Sequence, residues 1–221
     1  MKLLAIDTST EACSAALHID GEIYERYEIA PRRHAELILS MADQLLTQAG
    51  IKLNTLDALA FGRGPGSFTG VRIASGVIQG LSFASELPVV SVSSLAVMAQ
   101  GAVGKSQTLF SAIDARMEEI YWCFYRVAED QLVLPLNDEK VSSPDSIDFS
   151  GPEPCYGIGS GWGRYRDVLI QKFGKYLAGI DAECYPRARD MIPLAIRDFK
   201  QGNVVAAGDA LPVYLRNEVT G

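Results

Sequence analysis

Three groups of residues in this chain have types and spacing that could do chemistry. They are Asp7-Thr-Ser-Thr10, His34, and the run Gly62-Arg-Gly-Pro-Gly-Ser-Phe-Thr-Gly-Val-Arg72. A carboxylate followed by hydroxyls could hold a magnesium nucleotide weakly. A glycine-rich loop entering a helix turns unpaired N–H groups and the helix dipole towards an anion. Asp7, Ser9, Gly64, Gly66 and Ser67 are therefore the candidate phosphate-binding set. The loop lacks the Lys-Ser/Thr ending of a Walker A motif. Its glycines equally suit a tight turn that lets two helices approach closely. The Asp7 turn could likewise be capped by its own side chains.

Other reactive constellations are missing. The chain has two histidines, His18 in an apolar strand-like segment and His34, and no carboxylates cluster near His34. No transition-metal site is expected, and no metallopeptidase chemistry. Cys13, Cys123, Cys155 and Cys184 lie far apart without a C-x-x-C pair, which reads as reduced thiols. Ser160 in Gly157-Ile-Gly-Ser-Gly161 is offset from a nucleophile elbow and lacks a histidine partner. Asp114-Ala-Arg116, beside Glu118 and Glu119, suggests an Arg–carboxylate pair bracing a hairpin corner, or a contact to a partner or nucleotide. No catalytic residue is assigned.

These residues must be positioned by an α/β scaffold. Leu3–Asp7, Cys13–Ile19 and Glu22–Ile29 read as strands, the last two joined by an Asp20-Gly21 hairpin turn. A helix over Ala35–Ala49 stops at Gly50. A strand at Leu56–Phe61 enters the glycine loop, where Ser67 could cap a helix reaching about Ser85. A buried strand at Pro88–Val92 and a short helix to about Gln100 follow. Beyond the Gly101-Ala-Val-Gly104 hinge come β-rich segments at Thr108–Ile113 and Glu119–Val127, then a loop-heavy stretch over 128–160 with Pro135, Pro144, Pro152 and Pro154. Helices are expected near Tyr165–Phe173 and Met191–Gln201, with a strand-like piece at Val204–Ala207. This gives two lobes, 1–100 with 191–221 and a smaller 101–190, the final helix returning to cover the first.

The helix over Ala35–Ala49 carries an apolar arc of roughly 200°, twice what facing one core requires. Leu37, Ile38, Met41 and Leu45 share one side, and Leu39, Ala42 and Leu46 extend it. The next helix disperses Gly70, Gly76 and Gly80 among Val71, Ile73 and Val77. Each interior glycine costs about 1 kcal/mol of helix propensity but lets another helix approach. The pair is either sandwiched inside its own lobe or shared with another chain.

Composition narrows the partners. The 221 residues are 48% hydrophobic, with mean hydropathy +0.09, net charge -7 and pI near 4.9. An acidic chain grips nucleic acid poorly unaided, so any nucleic acid would be held by another protein. No apolar run reaches ~18 residues, so no membrane contact is expected and a cytoplasmic protein is.

Leu4-Ala-Ile-Asp-Thr-Ser-Thr10, Gly64-Pro-Gly-Ser-Phe-Thr-Gly-Val-Arg-Ile73, Asp114-Ala-Arg116 and Tyr214-Leu-Arg216 together resemble the bacterial TsaB (YeaZ) family, end to end. The resemblance implies an actin-like (ASKHA, ribonuclease H-like) fold with a reduced second lobe. It also implies a non-catalytic subunit that activates a TsaD-type paralogue in making threonylcarbamoyladenosine beside the anticodon of tRNA. Through TsaD a TsaE-type ATPase would join, and the chain would also pair with itself as a homodimer. The paralogue binds its metal through H-x-x-x-H on this first helix; here the positions are His34 and Ile38, and isoleucine ligates nothing. ATP or ADP would bind weakly at most, or at the shared boundary; no cofactor is required. The resemblance favours the interface reading of the helix pair, placing there His34, Leu37, Ile38, Leu39, Met41, Ala42, Leu45, Leu46, Arg72, Ile73, Gly76, Val77 and Gly80. A small actin-like kinase or phosphotransferase, and a homodimeric structural or chaperone-like protein, are the alternatives.

Overall fold

The structure, a computed structural model, describes residues 1–148 and 154–216. Pro152 and the assignment of 217–221 to the first lobe lie outside the described residues. The described chain divides into two units, one from Met1–Val97 and Pro186–Val213, the other from Met98–Tyr185 and Tyr214–Arg216.

The first unit opens with strands β1 (Lys2–Asp7), β2 (Ala12–Ile19) and β3 (Glu22–Ile29). The Asp20-Gly21 turn between the last two has both residues at positive φ, the geometry that makes Asp-Gly a hairpin turn. Helix α1 (His34–Ala49) ends on Gly50 in the left-handed conformation and leads to β4 (Ala58–Gly62). Helix α2 (Phe68–Ser85) is capped by Ser67, whose hydroxyl accepts from the Gly70 amide at 3.0 Å. Strand β5 (Val89–Val92) and α3 (Ser94–Gly101) follow. The sheet order is β3-β2-β1-β4-β5, antiparallel through β1, β2 and β3 and parallel through β1, β4 and β5.

Alternation along β1 assigns the two faces. Leu4 and Ile6 join Cys13, Ala15, Leu17, Leu59 and Phe61 against Ile38, Met41, Ala42 and Leu45 of α1 and Ala74 and Ile78 of α2. Ile38 and Leu45 are wholly buried, each contributing about 1.5–3 kcal/mol of hydrophobic stabilisation. The last helix of the first unit, named below in chain order, covers the opposite face.

The second unit contains β6 (Thr108–Arg116), β7 (Glu119–Val127), β8 (Val133–Pro135), β9 (Lys140–Ser142) and β10 (Cys155–Ile158). Helices α4 (Ser160–Arg164) and α5 (Arg166–Phe173) precede β11 (Leu177–Asp181). The sheet runs β11-β10-β6-β7-β8, with β9 also on β7. An aromatic cluster of Phe110, Trp122, Phe124, Trp162 and Phe173 fills its core, the Phe110 and Phe124 rings stacked at 4.1 Å. Strand β10 falls where loop was expected, and β11 lies in a stretch to which the sequence assigned no element. Val204–Ala207 is not a strand; within it, Val205 forms a single antiparallel bridge to Val89.

Helix α6 (Ala188–Lys200) packs on β1, β2, β4 and β5. Its entry is fixed by Ser14 Oγ, which accepts from the Ala188 amide at 2.9 Å, and by Arg187, whose Nε reaches Glu25 at 3.2 Å. The guanidinium also lies 4.5 Å above the Tyr27 ring. In the first turn of α6, burial pushes the Asp190 carboxyl from 3.8 up to about 6. A raised folded-state value means that protonation favours the native state. The stability Asp190 supplies is complete below about 3.8 and lost as pH rises through about 6. Asp190→Asn should therefore stabilise the protein at pH 8, by on the order of 1–2 kcal/mol, and leave it nearly unchanged at pH 4. Thermal unfolding of the two proteins at both pH values checks this.

Candidate functional site

Asp7 ends β1, Gly62 ends β4, and the loop Arg63–Ser67 passes between them into α2. The Asp7 carboxylate is fully buried. Its Oδ1 accepts from the Ser9 amide at 2.8 Å and the Ser9 hydroxyl at 2.7 Å; Oδ2 accepts from Ser94 Oγ at 3.3 Å. Burial outweighs these bonds and pushes the carboxyl up to about 6. Glycine is needed at position 62 because a Cβ there would lie 1.8 Å from Asp7 Oδ2.

The loop closes on the same residues. The Ser67 amide donates to the Ser9 carbonyl at 2.7 Å, and the Ser94 amide to the Gly64 carbonyl at 2.9 Å. Thr8 Oγ1 donates to the Gly70 carbonyl at 2.7 Å. Of the candidate phosphate-binding residues, Asp7 and Ser9 have no exposure, Gly64 is buried, Gly66 is half-buried and Ser67 is exposed; the Ser67 and Gly70 amides have acceptors inside the chain.

The helix pair also sorts differently from its composition. His34, Ile38, Met41, Ala42 and Leu45 are buried within the first unit. Leu37, Leu46, Ile73 and Val77 are half-buried and pack against the same core. What remains outward on α1 is Leu39, 54% exposed. On α2 the outward line is Phe68, Arg72, Gly76, Gly80 and Phe83, spaced at three and four residues, with Thr69 beside its start and Phe83 84% exposed. The Arg72 guanidinium lies 3.2 Å from the Phe68 ring centroid. Nothing lies within 4 Å of a Cβ built on Gly76 or Gly80. Phe68 and Phe83 are the largest apolar groups on this line; Phe83 is one of the apolar residues the sequence places on the second helix, and Phe68 reads there only as part of the glycine-rich motif.

His34 sits at the first position of α1 with Nε2 buried and unpaired. Four residues on, Ile38 points into the core. Among the described residues no three His, Cys, Asp or Glu side chains gather in a way that could hold a metal. None of their helices is long and apolar enough to cross a membrane.

In the second unit, the Asp114–Arg116 pair braces its corner: Arg116 Nη1 lies 2.9 Å from Asp114 Oδ2, and Arg116 N donates to Asp114 Oδ1 at 2.9 Å. Arg116, Met117 and Glu118 are consecutively left-handed. Arg216 closes on this corner through Glu119 and the Met117 sulfur, a pairing that sequence spacing could not reveal. Ser160 Oγ accepts from the Asp114 amide at 3.1 Å, a turn contact.

Comparison with known proteins gives a consistent answer. A family model described as TsaD, tRNA N6-adenosine threonylcarbamoyltransferase, matches residues 24–152. The tRNA threonylcarbamoyladenosine biosynthesis protein TsaB of Escherichia coli is 42% identical, covering 99% of this chain and 96% of that protein. Its namesake in Haemophilus influenzae is 41% identical over 100% of this chain and 95% of its own. The chain belongs to the TsaB family. The solved structure of YeaZ from Pseudomonas aeruginosa superposes with a TM-score of 0.91 at 44% identity, covering 97% of this chain and 99% of that one. The two-sheet α/β architecture is thus the YeaZ one, an actin-like fold.

Proposed function

We propose that this chain is a non-catalytic partner subunit that binds and activates a TsaD-type threonylcarbamoyl transferase during formation of threonylcarbamoyladenosine in tRNA. The observation that carries the reading is the outward side of α2, where two open glycines lie between exposed Phe68 and Phe83. Such a line accepts a closely packed helix while two aromatic groups anchor its ends. The closed junction around Asp7 supports the non-catalytic part, since its carboxylate and hydroxyls are occupied with one another. Activation is then positional: docking stabilises whichever state of the transferase fits this face better. The same face serves self-association, a TsaE-type ATPase joins through the transferase, and tRNA is reached indirectly. The setting is the cytoplasm. Threonylcarbamoylation of tRNA by the purified transferase and ATPase, with and without this chain, tests the reading; equal rates in both would overturn it.

The glycines make a second, separable test. Gly76→Ala and Gly80→Ala fill open space and remove a propensity penalty, so each should stabilise the isolated chain by up to about 1 kcal/mol. Each should also weaken the complex by holding the partner helix away. Thermal unfolding of the chain and calorimetric titration with the transferase read the two effects separately.

A further inference from the structure

The carboxylate of Asp7 is enclosed in the first unit without a positively charged partner among the described residues. It is fully buried, and the groups that hold it are neutral: the Ser9 amide, the Ser9 hydroxyl and the Ser94 hydroxyl. Among the described residues no lysine, arginine or histidine bonds to it from β2, β4, α2 or α3. The titratable group beside it is Cys13 of β2, whose thiol burial pushes up to about 12, so it stays neutral. Glu28 of β3 also acts on Cys13 and adds no positive charge. Buried ions are ordinarily paired, because an isolated one favours either protonation or water.

The bonds around Asp7 also connect it to the glycine loop. Ser9 donates twice to Asp7, and its carbonyl accepts the Ser67 amide, which begins the cap of α2. Ser94 donates to the other carboxylate oxygen, and its amide donates to the Gly64 carbonyl. Both ends of the glycine loop therefore hang on residues that hold this one carboxyl. Van der Waals contact seals the junction: a Cβ on Gly66 would lie 2.3 Å from the Ser9 carbonyl, and one on Gly70 2.0 Å from the Thr8 carbonyl. Water reaches Asp7 only if the loop lifts.

We propose that Asp7 is a proton-linked latch on the glycine loop: its protonated form keeps the loop closed, and ionisation favours a transient opening that frees the Ser67 amide and the first turn of α2. In the closed state a proton on Oδ2 would be shared with the Ser94 hydroxyl, while Oδ1 keeps both bonds from Ser9. In the open state the carboxylate gains water. The proposal is independent of whether a partner docks on α2.

The linkage sets the size of the effect. A carboxyl that titrates near 6 when closed and near 3.8 when hydrated should raise the opening equilibrium about tenfold between pH 5 and pH 7.5. Hydrogen exchange of the full chain, corrected for intrinsic exchange, should show protection of the Ser67 and Gly70 amides falling by that factor. Strand β7 in the second unit should show no such fall. In Asp7→Asn, which cannot ionise, protection at Ser67 and Gly70 should not change with pH. A parallel fall in Asp7→Asn, no fall in the wild type, or an equal fall across β7 would each overturn the latch. A carbon-13 titration of the Asp7 carboxyl in the wild type needs no variant. An inflection near pH 6 that shifts the Ser67 amide supports the latch, and an inflection below pH 4.5 refutes it.

Discussion

Leu39→Asp and Phe83→Asp are each expected to reduce affinity for the transferase by 30-fold or more, with the isolated chain still folded. Both side chains stand outward, at 54% and 84% exposure, so a carboxylate there remains hydrated in the free protein. In a complex the same carboxylate would be desolvated against apolar surface without a partner, a cost of roughly 2–5 kcal/mol. The free chain should lose little, since exposed substitutions away from packed features fall within about 0.5 kcal/mol. Circular dichroism and thermal unfolding should therefore look unchanged while calorimetric binding disappears. Leu46→Asp is a poorer probe, because Leu46 is half-buried against the core and would weaken the fold as well. Unchanged binding in both outward variants would remove α1 and α2 from the interface.

Gly70→Ala should have the opposite profile, a large loss of stability from a single methyl group. Elsewhere in α2 alanine is favourable, by about 1 kcal/mol over glycine. At position 70 the new Cβ would lie 2.0 Å from the Thr8 carbonyl oxygen and 3.1 Å from the Ser67 hydroxyl. The first neighbour is backbone at the end of β1 and cannot rotate away. Overpacking of this kind costs about 3 kcal/mol, or roughly 6–12 °C in a chain of this size. Comparing melting curves of Gly70→Ala and Gly76→Ala, six positions apart on one helix, isolates the effect of the neighbour. Equal melting temperatures would mean that the loop yields freely.

What the sequence made legible were features encoded within a few residues. The Asp20-Gly21 hairpin, the Gly50 stop and the Ser67 cap depend on local backbone chemistry and appear where local rules place them. The division of the wide apolar arc of α1 was not legible. Which part faces inward depends on where α2 and the sheet lie; Ile38 and Leu45 took the core and Leu39 was left outside. Strand β10 was hidden by Gly157, which reads as a turn residue, and the short β11 around Gly179 carries no clear strand pattern. In the fold, Gly157 makes room for the Trp162 ring and Gly179 for the Tyr156 ring, where a Cβ would lie 2.4 Å and 2.6 Å away. The candidate phosphate residues were visible by type, but the Ser9 hydroxyl turns inward onto Asp7 and the Ser67 hydroxyl caps α2, directions set by the meeting of β1, β4 and α2.

The path of the chain has a consequence for its birth. The first unit is written in two instalments, Met1–Val97 and Pro186–Val213, with most of the second unit spelled out between them. As the polypeptide leaves the ribosome, the early sheet can recruit α1 and α2 at once, but one apolar face waits for α6 until residues 98–185 have been read. During that interval the nascent sheet is greasy on one side, while nearly all of the second unit is already available to fold. A translational pause before codon 188 would lengthen that exposure, and one after codon 200 would not.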